Sequence, residues 1–337
     1  MGIQLSLLDQ SLIHDQATAV EAFQQTLELA QHAEALGYRR FWVSEHHDSD
    51  GVVGSSPEVL IAYLLAKTER IRIGSGGVML QHYSPYKVAE NFNVLAALAP
   101  GRVDLGIGRA PGGLPRSTKA LQQDTVGTSM PLADKLVLLD RYIHNTLDAE
   151  HELYGIKAVP VPEVPAHLFL LGGGGASTEL AGSLGIPYVF AQFINGDESL
   201  IQQAFASYRQ HFKSVNDSKP QAVLAVSVIL TDSDDEAQSL AAEIKNVKVH
   251  LESGRTLTVI TVEQAEEFGK QSNEKYTVEV KEASVIHGSK NKVRAKLLEL
   301  QKAYQLDEII ITVAMKEFNQ RLRAIVLLQE AFSELTV

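Results

Sequence analysis

Ile71-Arg72-Ile73-Gly74-Ser75-Gly76-Gly77-Val78, then Ser84-Pro85 opening the stretch Pro85 to Leu98, then Pro100-Gly101 and Val103-Asp104-Leu105-Gly106-Ile107, reads as strand, helix and strand. The outer runs are apolar and of strand length. The middle run is longer and helical in pattern, with Ser84 as N-cap, Pro85 at the first helical position and Pro100-Gly101 as the stop. Two strands joined by a crossover helix lie parallel.

The same alternation extends in both directions from this unit. Upstream lie a strand at Ile3–Leu8, a helix at Ala19–Leu36 stopped by Gly37, a strand at Phe41–Ser44 and a helix at Pro57–Lys67 with Ser56 as its cap. Downstream lie a helix at Leu132–Leu147, a strand at Leu168–Leu171, a helix at Ser177–Leu184, a strand at Tyr188–Ala191, a helix at Leu200–Phe212 and a strand at Ala222–Leu230. Val293–Tyr304, Glu308–Val313 and Asn319–Phe332 complete the pattern as helix, strand and helix. Eight parallel strands with crossover helices predict an α/β fold, a closed (β/α)₈ TIM barrel. An open doubly wound sheet is disfavoured, because no nucleotide fingerprint follows the first strand. Residues 233–289 break the rhythm. They are polar, mixed in charge and partly helical, and read as an insertion after strand seven within one domain spanning 1–337.

Composition narrows the function. The 337 residues are 45% hydrophobic and 21% charged, the profile of a globular protein able to bury a large core. No cysteine is present, which removes disulfides, thiol catalysis and Cys-ligated metals, and suits a reducing cytoplasm. A net charge of −11 argues against nucleic-acid binding through a broad basic face. No apolar run approaches the ~20 residues of a bilayer span, and no signal peptide is evident. The amino-terminal Met1-Gly2 fits a myristoylation pattern but reads better as the lead into the first strand. Asn216-Asp217-Ser218 is a sequon that carries little weight without a secretion signal.

In such barrels the active site lies at the C-terminal ends of the strands. After strand two comes Ser44-Glu45-His46-His47-Asp48, where histidine suits proton transfer near neutral pH. Adjacent side chains point different ways, so one of His46 and His47 should face the pocket. Within strand three, glycines at Gly74, Gly76 and Gly77 permit close approach of a flat ligand or shape a bulge. After strand four, Arg109 follows Gly108 as a candidate anion clamp. After strand five, Gly172-Gly173-Gly174-Gly175-Ala176-Ser177 opens a helix, and its amides with the helix N-terminus form an anion site. Ser177 could add a hydroxyl or act as a plain N-cap. A phosphorylated planar cofactor fits this set better than a metal.

These residues carry a resemblance. Phe41-Trp42-Val43-Ser44-Glu45-His46-His47, the run from Lys67 through Leu80, Ser84-Pro85 through Glu90, Pro100-Gly101-Arg102-Val103-Asp104-Leu105-Gly106-Ile107-Gly108-Arg109 and Gly172–Gly185 resemble, in order, the segments of the bacterial luciferase-like monooxygenases. The likeness is to a branch of uncharacterised substrate more than to the light-emitting subunits. It implies a flavin-dependent oxidoreductase using reduced FMN and dioxygen on a small organic substrate. FMN would be supplied by a separate flavin reductase, and the deazaflavin cofactor of some relatives is an alternative. It implies His46 as the catalytic acid–base group. Gly76-Gly77 falls where the family has a non-prolyl cis peptide beneath the flavin, Gly108 lies near the ring, Arg109 near the phosphate, and Gly173, Gly174, Gly175 and Ser177 cradle that phosphate. Light-emitting relatives carry polar side chains where this chain has Gly173 and Gly174, which would suit looser flavin binding. The resemblance also implies a homodimer through the helices of the first barrel repeats. Gly112–Asp124 and the 233–289 insertion are candidate lids. Two rival readings are a non-catalytic flavin-binding protein and a metal-dependent barrel hydrolase using His46, His47 and Asp48 or Asp50.

Overall fold

The computed structural model describes residues 3–14, 17–123, 130–195, 198–215, 217–259 and 261–333. Met1 and Gly2, Asp124 at the end of one candidate lid, and Asn216 of the sequon lie outside the described residues.

The chain runs β1 (Gln4–Asp9), α1 (Ala19–Leu36), β2 (Arg40–Val43), α2 (Pro57–Ala66), β3 (Arg72–Val78), α3 (Pro85–Leu98), β4 (Val103–Ile107), α4 (Pro115–Leu121) and α5 (Leu132–His144). It continues through β5 (His167–Gly172), α6 (Ala176–Leu184), β6 (Tyr188–Ala191), α7 (Gln192–Asn195), α8 (Ser199–His211), β7 (Ala222–Leu230) and α9 (Asp234–Glu243). The last part holds β8 (Lys245–Leu251), β9 (Thr256–Val259), α10 (Val262–Ser272), β10 (Tyr276–Glu282), β11 (Val285–Gly288), α11 (Lys290–Tyr304), β12 (Glu308–Val313) and α12 (Phe318–Ser333). All barrel pairings are parallel, in the order β12-β1-β2-β3-β4-β5-β6-β7. Pairing of β7 with both β6 and β12 closes the ring, so the fold is a (β/α)₈ barrel.

Two apolar layers follow from the strand pleat, which sends alternate side chains inward and outward. The outward set, with Phe41, Ile73, Leu105, Leu168 and Leu224 among it, packs against the helices. The inward set, Leu8, Trp42, Phe169, Leu171, Val189, Val223, Ala225 and Ile310, fills the barrel. Toward the N-terminal ends of the strands the filling turns ionic. Arg40 reaches Glu308 at 2.7 Å and Asp104 at 2.7 Å, Arg72 reaches Asp104 at 2.6 Å, and Trp42 Nε1 donates to Asp104 at 3.0 Å. Charged side chains this deep persist only when paired and hydrogen-bonded.

Several local expectations need correction. Ser56 and Ser84 occupy N-cap positions, but neither hydroxyl caps its helix; proline at the first position leaves one fewer orphan amide there. Helix α5 ends at His144 in a left-handed Asn145, not at Leu147. The candidate lid Gly112–Asp124 contains a short helix, α4, which the sequence pattern did not indicate. Residues 233–289 are not merely polar and partly helical. They form a three-stranded antiparallel sheet, β10-β8-β9, with α10 on one face. Val247, Val249 and Leu251 alternate inward along β8 and meet Ala265 and Phe268 of α10 in a small core of their own. Strand β11 then returns to pair with the C-terminal half of β7, on the side that β6 occupies lower down.

The two candidate lids touch. Leu114 packs on the small core of the insertion, the Arg116 amide donates to Gln271 at 2.9 Å, and Arg116 lies 3.5 Å from Glu267.

Candidate active site at the barrel mouth

Strands β2, β3, β4 and β5 are consecutive neighbours, so the segments that follow them share one arc of the rim. That arc carries His46, Gly76 and Gly77, Gly108 and Arg109, and the Gly173 to Ser177 loop.

After β2, Glu45 is fully buried and collects donors. Tyr83 donates its hydroxyl to Oε1 at 2.6 Å, the Met79 amide donates to Oε2 at 2.9 Å, and His47 Nε2 lies 2.7 Å from Oε1. Burial and the Glu45 charge push the Tyr83 phenol well up, so it stays a donor. The His47 amide donates to Gly112 at 2.8 Å. His46 donates its backbone amide to Gly54 at 2.8 Å, while its ring has no hydrogen-bond partner among the described residues. The two histidines thus diverge: His47 is tied back into the loops and His46 is left for other work. Burial, then the neighbouring His47, lower the His46 imidazolium, and the Glu45 charge opposes them in part. The sequence reading placed Glu45 in the strand-end motif without its role as an anchor, and it missed Tyr83 altogether. Tyr83 is too far along the chain to be linked to the histidine motif without the fold.

After β3 the Gly76–Gly77 peptide is cis, as the resemblance implies. Glycine is required here by close approach. A Cβ on Gly76 would sit 2.8 Å from Leu8 and 2.9 Å from Trp42, and one on Gly77 would meet the Gly106 carbonyl at 2.6 Å. At Gly76, Gly77, Gly106 and Gly108 the neighbouring backbone and the side chains of Leu8, Trp42, Leu171 and Met79 close in where a side chain would stand.

After β4, Arg109 is exposed at the rim and acts electrostatically on Tyr188. After β5, Gly174 and Gly175 take positive φ, and Gly175, not Ser177, is the N-cap of α6. The amides of Ala176 and Ser177, at the first helical positions, have no intrahelical acceptor. The Gly174 amide donates to the Tyr188 hydroxyl at 2.9 Å, and Ser177 Oγ donates to the Gly174 carbonyl at 2.9 Å. Ser177 is buried beneath the loop and stiffens it. A Cβ on Gly175 would meet nothing within 4 Å, and with Arg109 acting on Tyr188 beside this helix end the donor set suits an anion.

Asp48 and Asp50 are exposed beside His46 and His47, and no group of three or more His, Asp or Glu gathers to hold a metal among the described residues. None of the described helices is long and apolar enough to cross a membrane.

Residues 3–305 match the family model described as luciferase-like monooxygenase. The chain belongs to the luciferase-like monooxygenase family. Within it, the N-acetyl-S-alkylcysteine monooxygenase of Bacillus subtilis strain 168 is 40% identical, with 98% of each chain aligned. Among solved structures, apo-MsnO8 superposes with a TM-score of 0.79 at 31% identity, covering 98% of both chains. The oxygenating constituent of 3,6-diketocamphane monooxygenase from Pseudomonas putida, solved with FMN, shares the fold at a TM-score of 0.70 and 16% identity, covering 99% of this luciferase-like chain and 98% of its own.

Proposed function

We propose that this chain is a flavin-dependent monooxygenase that takes reduced FMN from a separate reductase and transfers an oxygen atom from dioxygen to a small organic substrate. The observation that carries it is the arc of β2 to β5, where the N-terminus of α6 beside Arg109 shares the rim with the glycines of β3 and β4 and with His46. Arg109 and the amides of Ala176 and Ser177 would hold the phosphate. Gly76, Gly77 and Gly108 would lie against the flat ring. The flavin, when bound, supplies the oxygen activation. His46, neutral near pH 7, accepts and returns a proton at its free ring nitrogen. The α4 segment and the insertion act together as a cover that excludes water.

Flavin binding tests this directly. FMN fluorescence should quench on titration with the protein, and an anaerobic repeat with reduced FMN should show binding of one form or both. Arg109→Ala should weaken it about 10–100-fold, the range of a charge-assisted hydrogen bond. Failure of both forms to bind would remove the FMN assignment and turn the search to deazaflavin. For turnover, the 40% identical relative makes a thioether such as N-acetyl-S-methylcysteine the first probe.

A second copy of the chain is the partner best suited to the outer face of α2 and α3. Helix α2 is apolar all round: Leu60, Ile61, Leu64 and Leu65 are buried, yet Val59 and Tyr63 are exposed on the opposite side. Val94 and Leu98 of the neighbouring α3 extend the patch. A helix apolar on both faces implies burial on both. Light scattering should report a dimer, and Val59→Glu with Leu98→Glu should give a folded monomer. A wild-type monomer at micromolar concentration would end this reading.

A further inference from the structure

Glu45 is a carboxylate sealed completely within the mouth, and three elements converge on it. Its own segment follows β2, Met79 follows β3, and Tyr83 leads into α3. The unit is held from behind as well. Lys135 of α5 donates to the carbonyls of Gln81 and Tyr83 at 2.9 Å each, fixing the 3₁₀ turn Leu80–His82 that places Tyr83. On the other side, the His47 amide binds the Gly112 carbonyl beyond β4, and a Cβ on Gly113 would lie 3.1 Å from His47 Cβ. His46 sits between these two anchored neighbours, and its side chain makes no hydrogen bond among the described residues.

The protons can be assigned from chemistry. Oε2 accepts the Met79 amide, and Oε1 accepts the Tyr83 hydroxyl. An ionised carboxylate has only acceptors to offer, so the proton between Oε1 and His47 belongs to Nε2. His82 stands beyond, its ring 6.1 Å from that of His47. Its Nε2–H donates to the Pro111 carbonyl at 2.8 Å, and its Nδ1 accepts from Gln122 at 2.9 Å.

We propose that Glu45 is the positioning residue of this site: its carboxylate fixes His47 in the Nε2–H form and bolts the segment bearing His46 to the walls built after β3 and β4. His46 is thereby presented at one place and orientation, with the Glu45 charge facing it. The catalytic half of this proposal rests on the reading of His46 as a proton-handling group; the structural half does not. The groups facing Glu45 are His46, His47, His82 and Tyr83, with Glu58 acting on Tyr83 and Lys135 on His82.

Nitrogen-15 imidazole NMR of the intact chain tests this, with His46 and His47 assigned through His46→Asn and His47→Asn. Wild-type His47 should carry its proton on Nε2. In Glu45→Gln the side-chain oxygen stays with the Met79 amide and the NH₂ turns to the ring, so the His47 proton should move to Nδ1. The His46 midpoint should fall, because a facing negative charge is gone. With reduced FMN and N-acetyl-S-methylcysteine, kcat should drop about 10–100-fold while KM holds within about twofold, the pattern of a lost orienting partner. A wild-type His47 protonated on Nδ1 would overturn the proposal. So would a Glu45→Gln protein with an unchanged His47 form and His46 midpoint. Should Glu45→Gln fail to fold, Tyr83→Phe keeps the carboxylate. It should leave His47 in the Nε2–H form, and a switch there would equally refute the role of Glu45. The NMR arms need no flavin. Their success alongside absent FMN binding would sink the flavin reading and leave the placement of His47 intact.

Discussion

Asp104→Ala is expected to lower the unfolding free energy by about 3–5 kcal/mol, the cost of stranding buried charge. Asp104 is fully buried inside the barrel, where it accepts from Arg40 at 2.7 Å, from Arg72 Nε at 2.9 Å and Nη2 at 2.6 Å, and from Trp42 at 3.0 Å. Its removal leaves Arg72 without its carboxylate and Arg40 with Glu308 alone. Arg40 is itself buried, so water cannot replace the lost partner. Chemical unfolding measures the difference, and a loss under about 1 kcal/mol would mean the network is dispensable. The pH dependence has a definite sign. Burial by itself would raise the Asp104 carboxyl, but Arg40 and Arg72, with the bonds from Arg72 and Trp42, hold it below the usual range. A carboxylate depressed in the folded state contributes stability that is complete above its unfolded value, about pH 4, and lost as pH falls further. Wild-type stability should therefore fall away below about pH 4, and Asp104→Ala should show a shallower acid limb.

His46→Ala should reduce turnover of reduced FMN and N-acetyl-S-methylcysteine by about 10²–10⁴-fold, the range of a general acid–base group. The ring is lowered by burial and by His47, and it has no hydrogen-bond partner among the described residues. It is therefore in its base form at neutral pH, and the acidic limb of the rate profile should lie below the usual histidine value near 6.5. His46→Ala should abolish that limb. A variant within tenfold of wild type, or one retaining the limb, would take the proton chemistry away from His46.

Much of this architecture was legible in the sequence because local signals agree with the fold. The helix at Ala19–Leu36 has a capping box from Thr18 and Glu21 at one end and left-handed Gly37 at the other, and both bounds are as read. Helix α3 and strands β4, β6, β7 and β12 likewise match their expected limits. The sheet within residues 233–289 was not legible. Its strands do alternate, with Val247, Val249 and Leu251 in β8 and Tyr276, Val278 and Val280 in β10 at every second place, but these short runs are set among Lys, Glu and His and blend into a stretch of mixed charge. The ionic filling of the barrel escaped for another reason. Arg40, Asp104 and Glu308 stand near the starts of separate strands, and only closure of the ring brings them together. At the mouth the sequence singled out His46, His47, Arg109 and the glycine runs. Which histidine is free depends on Tyr83 and Met79, and the burial of Ser177 depends on Tyr188, contacts that exist only in three dimensions.

The return of β11 beside β7 sets how much change of length this fold can absorb. Val285 pairs with Ser227 and Gly288 with Leu230, so the excursion departs from the strand and comes back to it with its two stems side by side. A graft whose stems are already clasped adds little strain to its host when its interior grows or shrinks, since closure costs rise only with the logarithm of length. The segment between Leu230 and Val285 should therefore lengthen or shorten like an exchangeable cassette while the eight-stranded chassis beneath it stays untouched.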